Sequence, residues 1–118
     1  MLPLRRSKDI QRAFQEGVRA YSPWAVLHAR RRSEDEALSE PRLAVIAGKR
    51  FRRAVPRNRA RRLLRETARV ILGPRPAPWD LLLVARTTIL DSTFPERLTA
   101  LQEMFRKAGV LDETGCPA

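Results

Sequence analysis

Apolar and polar positions along the chain follow two periods, and the switches between them mark the elements. Ile10, Ala13 and Phe14 recur at helical spacing between Ser7, a good N-cap, and Gly17, a suitable C-terminal stop, which predicts a short helix over 7–16. Val18–Tyr21 and Trp24–Arg30 then read as strands, with Ser22-Pro23 as the punctuation between them. In the second strand Trp24, Val26, His28 and Arg30 share one face, and Ala25, Leu27 and Ala29 share the other. Residues 31–40 are polar, carry the acidic patch Glu34-Asp35-Glu36, and predict an exposed loop. Pro41–Gly48 is a near-continuous apolar run, as expected of a strand at the centre of a sheet.

Lys49–Val55 links that strand to a long helix. Pro56 suits the first turn, because its fixed φ fits there and its missing N–H is not needed. Gly73-Pro74 is the stop. At 3.6 residues per turn Ala60, Leu63, Leu64, Thr67, Ala68, Val70 and Ile71 fall on one side, and Arg57, Asn58, Arg61, Arg62, Arg65 and Arg69 on the other, within an arc of about 140°. Residues 74–78 form a stiff Pro-rich linker. Trp79–Arg86 is a second near-continuous apolar strand. Thr93 and Glu96 have capping-box spacing, and Phe94, Leu98, Leu101, Phe105 and Ala108 repeat at helical spacing up to Gly109. Strand, helix, strand in this order predicts a parallel pair. The whole predicts one α+β domain over 1–111, with a sheet of about four strands, and a flexible tail over 112–118.

Charge turns this architecture into a candidate function. The chain has 118 residues and a formal net charge of +11. Lys49 to Arg69 alone holds ten basic residues against one acid, Glu66. A solvated charged face usually mixes both signs; this one repels itself unless an anion lies across it. Guanidinium groups match phosphate with paired donors, so the expected partner is a nucleic acid. RNA is favoured over DNA. There is no zinc-finger spacing or helix-turn-helix pattern, and the arginine face lacks interleaved side chains for reading bases.

Other chemistries are poorly supplied. One cysteine, Cys116, and one histidine leave no disulfide framework and no Cys/His zinc site. No nucleophile motif or Gly-rich phosphate loop occurs, and the acids are scattered, so no catalytic residue is expected. No run approaches the ~18 apolar residues of a membrane span, and no signal-peptide core is present, so a cytoplasmic location without membrane partners is expected.

The basic stretch also carries a resemblance. Lys49-Arg50, Ala54-Val55, Arg57-Asn58-Arg59, Arg61-Arg62 and Arg65-Glu66 resemble the signature of the bacterial ribonuclease P protein family. Leu4-Arg5-Arg6-Ser7-Lys8-Asp9 with Phe14 and Gly17 resembles that family's first helix, Arg42-Leu43-Ala44-Val45 its central strand, and Asp80 to Arg86 its last strand. The resemblance implies a small α/β sandwich of order α-β-β-β-α-β-α, with a left-handed crossover around the Arg-rich helix, against the general rule. It implies the protein subunit of an RNA-based endonuclease that removes the 5′ leader of precursor tRNA, with Mg2+ held mainly by RNA. Lys49, Arg50, Arg52, Arg53, Arg57, Asn58, Arg59, Arg61, Arg62, Arg65 and Arg69 would then bind RNA, and Ile10, Phe14, Val26 and His28 would line a cleft for the leader. Ile10 and His28 stand where the family usually has Phe and Tyr, and Gly48 where Ser is common. Arg52 stands where Gly is frequent; a positive φ there would strain it. A structural RNA-binding protein without a part in cleavage would explain the arginine face equally, but not the matching first helix and last strand.

Overall fold

The computed structural model of the chain describes residues 1–33, 40–73 and 76–115. The acidic patch at 34–36, Pro74 and Arg75 of the linker, and Cys116 lie outside the described residues. In chain order the elements are β1 (Leu2–Pro3), α1 (Ser7–Glu16), β2 (Val18–Tyr21), β3 (Ala25–Arg31), β4 (Arg42–Ala47), α2 (Ala54–Leu72), β5 (Trp79–Ala85) and α3 (Phe94–Lys107), with 3-10 turns at Lys49–Phe51 and Thr87–Asp91. The strands form one five-stranded sheet in the spatial order β1-β4-β5-β3-β2. The extra strand, β1, comes from the basic lead-in and pairs with β4 only at Arg42 and Leu43.

The parallel pair predicted around α2 is present: β4 runs parallel to β5, with Val45 opposite Leu83. On its other side β5 runs antiparallel to β3, with Leu27 opposite the same Leu83. The central place therefore belongs to β5. The continuous apolar run of β4 lies beside an edge that β1 covers for two residues only, and Ile46 near its end is 38% exposed.

Alternation along the strands sends two sets of side chains to two faces. Leu27, Leu43, Val45, Leu81 and Leu83 meet Leu64, Ala68, Leu101 and Phe105 of α2 and α3 in the main core. The opposite face carries α1 and a small second cluster of Leu4, Ala13, Ala44 and Leu82, with Ile10 and Val84 packed against it. The short α1 covers only part of that face.

Several local expectations change. α1 begins at Ser7 itself, with Arg6 as N-cap and no capping side chain. Gly17 has φ −72°, so no left-handed stop is formed there. α2 begins at Ala54, two residues ahead of Pro56, which still falls in the first turn. Val70, expected on the core side, is 61% exposed, and Leu63 is half-buried. Arg32, expected in an exposed loop, is buried. The capping box of α3 forms as expected: Glu96 N–H donates to Thr93 Oγ1 (3.3 Å) and Thr93 N–H to Glu96 Oε1 (2.9 Å). Past α3, Val110 and Leu111 are buried in the main core.

Candidate nucleic-acid interface

α2 buries Ala60, Leu64, Thr67, Ala68, Ile71 and Leu72 against the sheet and α3. Its remaining surface is basic. Asn58, Arg59, Arg62, Arg65 and Arg69 are exposed, while Arg57 and Arg61 stand half-buried at the margin of the core face. Arg61 donates to Asn58 Oδ1 at 3.3 Å, and the Nε of Arg57 has no partner among the described residues. Among the described residues none of these guanidiniums forms an ion pair. Arg59 departs from the group. It lies about 160° around the helix from Arg61, on the side where both it and Glu66 act on Arg97 of α3.

Lys49, Arg50, Arg52 and Arg53 extend the basic surface from the C-terminal end of β4, and all four are exposed. The buried Phe51 pins this turn to the core. Arg52 has φ 57° and ψ −38°, the one positive φ of a non-glycine residue among the described residues. The strain foreseen for an arginine at this position is present.

The second feature is a trough on the α1 face of the sheet. Strand alternation and register place Arg19 and Tyr21 of β2, Val26 and His28 of β3, Leu82 and Val84 of β5, and Ala44 and Ile46 of β4 on this face. Ala13 at the base of α1 is fully buried, so Ile10 and Phe14 form the flank of the helix that looks along the uncovered floor. Phe14 is 48% exposed, and its ring lies 4.8 Å from that of His28. The Arg19 guanidinium sits over the same Phe14 ring, 5.6 Å from its centroid. His28 is buried, and its Nδ1 has no partner among the described residues. Burial, with the Arg19 charge as the smaller cause, holds its imidazole below the ordinary histidine pKa, so it is neutral at neutral pH.

The trough opens toward basic side chains at two places. One cavity of about 490 Å3 joins Ile10 and Ile46 to Arg65 and Arg69 around the open edge of β4. Another, of about 580 Å3, joins Val26 and Val84 to Lys49, Arg50 and Arg86 at the ends of the central strands. The four predicted cleft residues thus lie on one trough, with Phe14 and His28 in ring contact and Ile10 toward the β4 edge. Arg19, Tyr21, Ile46 and Val84 were not among the predicted residues. A β2–β3 hairpin register would have placed Arg19 and Tyr21 beside His28 and Val26. Nothing in the sequence reveals that α1 leaves Ile46 and Val84 open.

On the other flank of α1 lies a charged cluster. Asp80 of β5 is fully buried and sits in register between Arg30 of β3 and Arg42 of β4. Arg42 donates to both carboxylate oxygens, Nε to Oδ1 at 2.7 Å and a terminal N–H to Oδ2 at 2.6 Å. Arg32 donates to Oδ1 at 2.8 Å, and Arg30 reaches Oδ2 at 3.5 Å. Among the described residues no three His, Cys, Asp or Glu side chains converge as metal ligands. The one fully buried carboxylate among the described residues, Asp80, has both oxygens on guanidiniums. The donor set of the described residues does not fit a Mg2+ ion held by the protein alone.

An arginine-faced helix, a basic turn and an aromatic-walled trough stand together on a small α+β sandwich, which is the surface chemistry of a polyanion-binding protein. The comparisons with known proteins agree. The sequence model of the family described as Ribonuclease P matches residues 2–109. The ribonuclease P protein component of Symbiobacterium thermophilum is 31% identical, the alignment covering 89% of each chain. That of Chloroflexus aurantiacus is 34% identical over 92% of this chain and 78% of its own length. The solved RNase P protein of Staphylococcus aureus shares the fold, with a TM-score of 0.77, 23% identity and coverage of 95% of this chain and 99% of the other. The chain belongs to the ribonuclease P protein family, and with it to the subunits of a ribonucleoprotein endoribonuclease of tRNA processing.

Proposed function

We propose that this chain binds the catalytic RNA of ribonuclease P through α2 and the Lys49–Arg53 turn, and holds the 5′ leader of precursor tRNA in the trough beside α1. The work of the protein is binding and positioning. Arginines screen the repulsion between two phosphate backbones, and Phe14 with His28 offers a stacking wall that tolerates different bases. Mg2+ supplies the hydrolytic chemistry when bound and is held mainly by RNA in this reading. The setting is the cytoplasm.

The observation that carries the reading is the trough itself: an uncovered apolar floor, an exposed aromatic wall, and basic side chains at both openings. A structural RNA-binding protein would need the arginine face but has no use for such a trough. The test is cleavage of a 5′-extended precursor tRNA by a bacterial catalytic RNA at low Mg2+, with and without this protein. Stimulation that disappears when the leader is trimmed short supports the reading. Tight RNA binding without stimulation would overturn it.

A further inference from the structure

α1 is the wall of the trough, yet its apolar footing is narrow. Ala13 is its one buried residue, with half-buried Ile10 beside it. What else holds it lies on the flank away from the trough. Asp9 and Glu16 are seven residues apart and so share that flank. Asp9 Oδ2 accepts from Arg42 at 3.4 Å, and Glu16 Oε2 lies 3.6 Å from Arg30 Nε. Both arginines flank Asp80 in the sheet, one from each neighbouring strand. The helix is therefore tied at both ends to a single buried carboxylate on the central strand.

The two sides of the last turn of α1 are coupled through β3. His28 and Arg30 are two residues apart on one face of that strand. Arg30 meets Glu16 behind the helix while His28 meets Phe14 in front of it. A shift that breaks the rear pair moves the front ring. Burial strengthens the arrangement, because a guanidinium that loses its partner there pays a desolvation penalty that an exposed one does not.

We propose that Asp80 is a positioning residue for leader recognition: through Arg42–Asp9 and Arg30–Glu16 it fixes α1 across the sheet and so sets the width of the trough. This rests on the reading that the trough holds the leader. A loosened α1 spends less time in the binding-competent position, and the apparent affinity for the leader falls by that fraction. α2 packs on the opposite face of the sheet, and although its Arg65 and Arg69 reach the trough around the β4 edge, its seating does not run through Asp80, so affinity for the catalytic RNA is expected to hold.

The test uses holoenzyme reconstituted with a bacterial catalytic RNA and one precursor tRNA carrying either a long or a trimmed leader. The variants are Asp80→Asn, which keeps shape and removes the central charge, and Asp9→Asn with Glu16→Gln, which releases only the outer ties. Asp9→Glu, retaining the charge, is the conservative control, and Phe14→Ala tests the trough directly. The double variant is expected to raise KM for the long-leader substrate by about three- to tenfold, with kcat, the trimmed substrate and affinity for the catalytic RNA unchanged. Asp80→Asn acts in the same direction and more strongly, and Asp9→Glu keeps the original KM. If Asp80→Asn fails to fold, the double variant decides. An unchanged long-leader KM in the double variant, while Phe14→Ala raises it, would overturn the positioning role alone. No effect of Phe14→Ala would overturn the leader reading beneath it.

Discussion

The Phe14 ring of α1 and the His28 ring of β3 stand 4.8 Å apart at 34° to one another, in tilted contact along the α1 side of the trough. The pair offers a π-surface with a neutral imidazole at its edge and a guanidinium over its face. Phe14→Ala removes the exposed half of that surface and leaves a polar histidine facing solvent. Loss of stacking costs about 1–3 kcal/mol per base. The expected outcome is a ten- to hundredfold weaker grip, approximately, on long-leader precursor tRNA, with little change for a trimmed leader. Comparative binding of the two substrates to the holoenzyme checks this.

His28 also gives the fold a pH dependence of known sign. Its folded pKa lies below the ordinary histidine value, because burial disfavours the charged ring. The unfolded chain therefore takes up the proton first as pH falls. The stability it supports is fully present above the ordinary histidine range, near 6.5, and is lost as pH drops from there through the folded pKa. His28→Phe is expected to flatten this part of the profile. Urea midpoints for both proteins between about pH 8 and 5 decide it; parallel curves would place the lost stability elsewhere.

What could be read from the sequence follows from how local each feature is. The basic face of α2 is written in one continuous helical period, and Thr93 and Glu96 announce the start of α3 three residues apart. The Arg30–Asp80–Arg42 ladder joins three strands that are distant in the chain, and only the register reveals it. β1 has two residues and no period to detect. Val70 misleads because residues at the margin of a helical stripe are buried or exposed according to the neighbour they meet, and Val70 is left 61% exposed. Ile10, Phe14, Val26 and His28 came from family resemblance; alone, their pattern describes only a helix packed on a sheet.

Arg52 combines strain with charge. Its φ of 57° costs an L-residue about 1–2 kcal/mol that glycine does not incur. Arg52→Gly is expected to raise the stability of the free protein by about 1 kcal/mol after the greater entropy of the glycine chain is counted. The same change removes one exposed cation from the Lys49–Arg53 turn. Denaturant titration should therefore show a gain while RNA affinity falls and its salt slope loses about one unit. A gain without any change of slope would mean that Arg52 touches no phosphate.

The arginine face makes a similar claim in a region free of backbone strain. Arg61 and Arg65 are half-buried and exposed respectively, and neither carries an ion pair among the described residues. Truncation of either leaves the core intact. Arg61→Ala and Arg65→Ala should each weaken binding to the catalytic RNA and lower the slope of log K against log salt by about one unit per lost phosphate contact. Slopes that stay fixed in both variants would remove α2 from the phosphate-binding surface.

Two glycines test whether close packing or local conformation sets the position of α1. Gly17 has an ordinary φ of −72°, so any residue could adopt its backbone. Yet a Cβ there would lie 2.4 Å from the Ala13 carbonyl oxygen and 3.1 Å from the backbone of Ala29 on β3. The end of the helix rests directly on the strand that carries His28. Gly17→Ala must distort the last turn of α1, which carries both the Ala13 carbonyl and Phe14, as well as ease it off β3, at a cost of about 1–3 kcal/mol for forced overpacking, and the shift is expected to separate Phe14 from His28. Gly48, at φ −83°, would place its Cβ in open space. Gly48→Ala is expected to be neutral or to stabilise by about 0.4–1 kcal/mol through the unfolded chain. Thermal unfolding of the two variants, with leader binding measured on each, separates the effects. A loss of leader affinity in Gly17→Ala alone would tie the trough to the seating of α1 on β3. Equal behaviour of the pair would mean that the helix can shift without moving its aromatic wall.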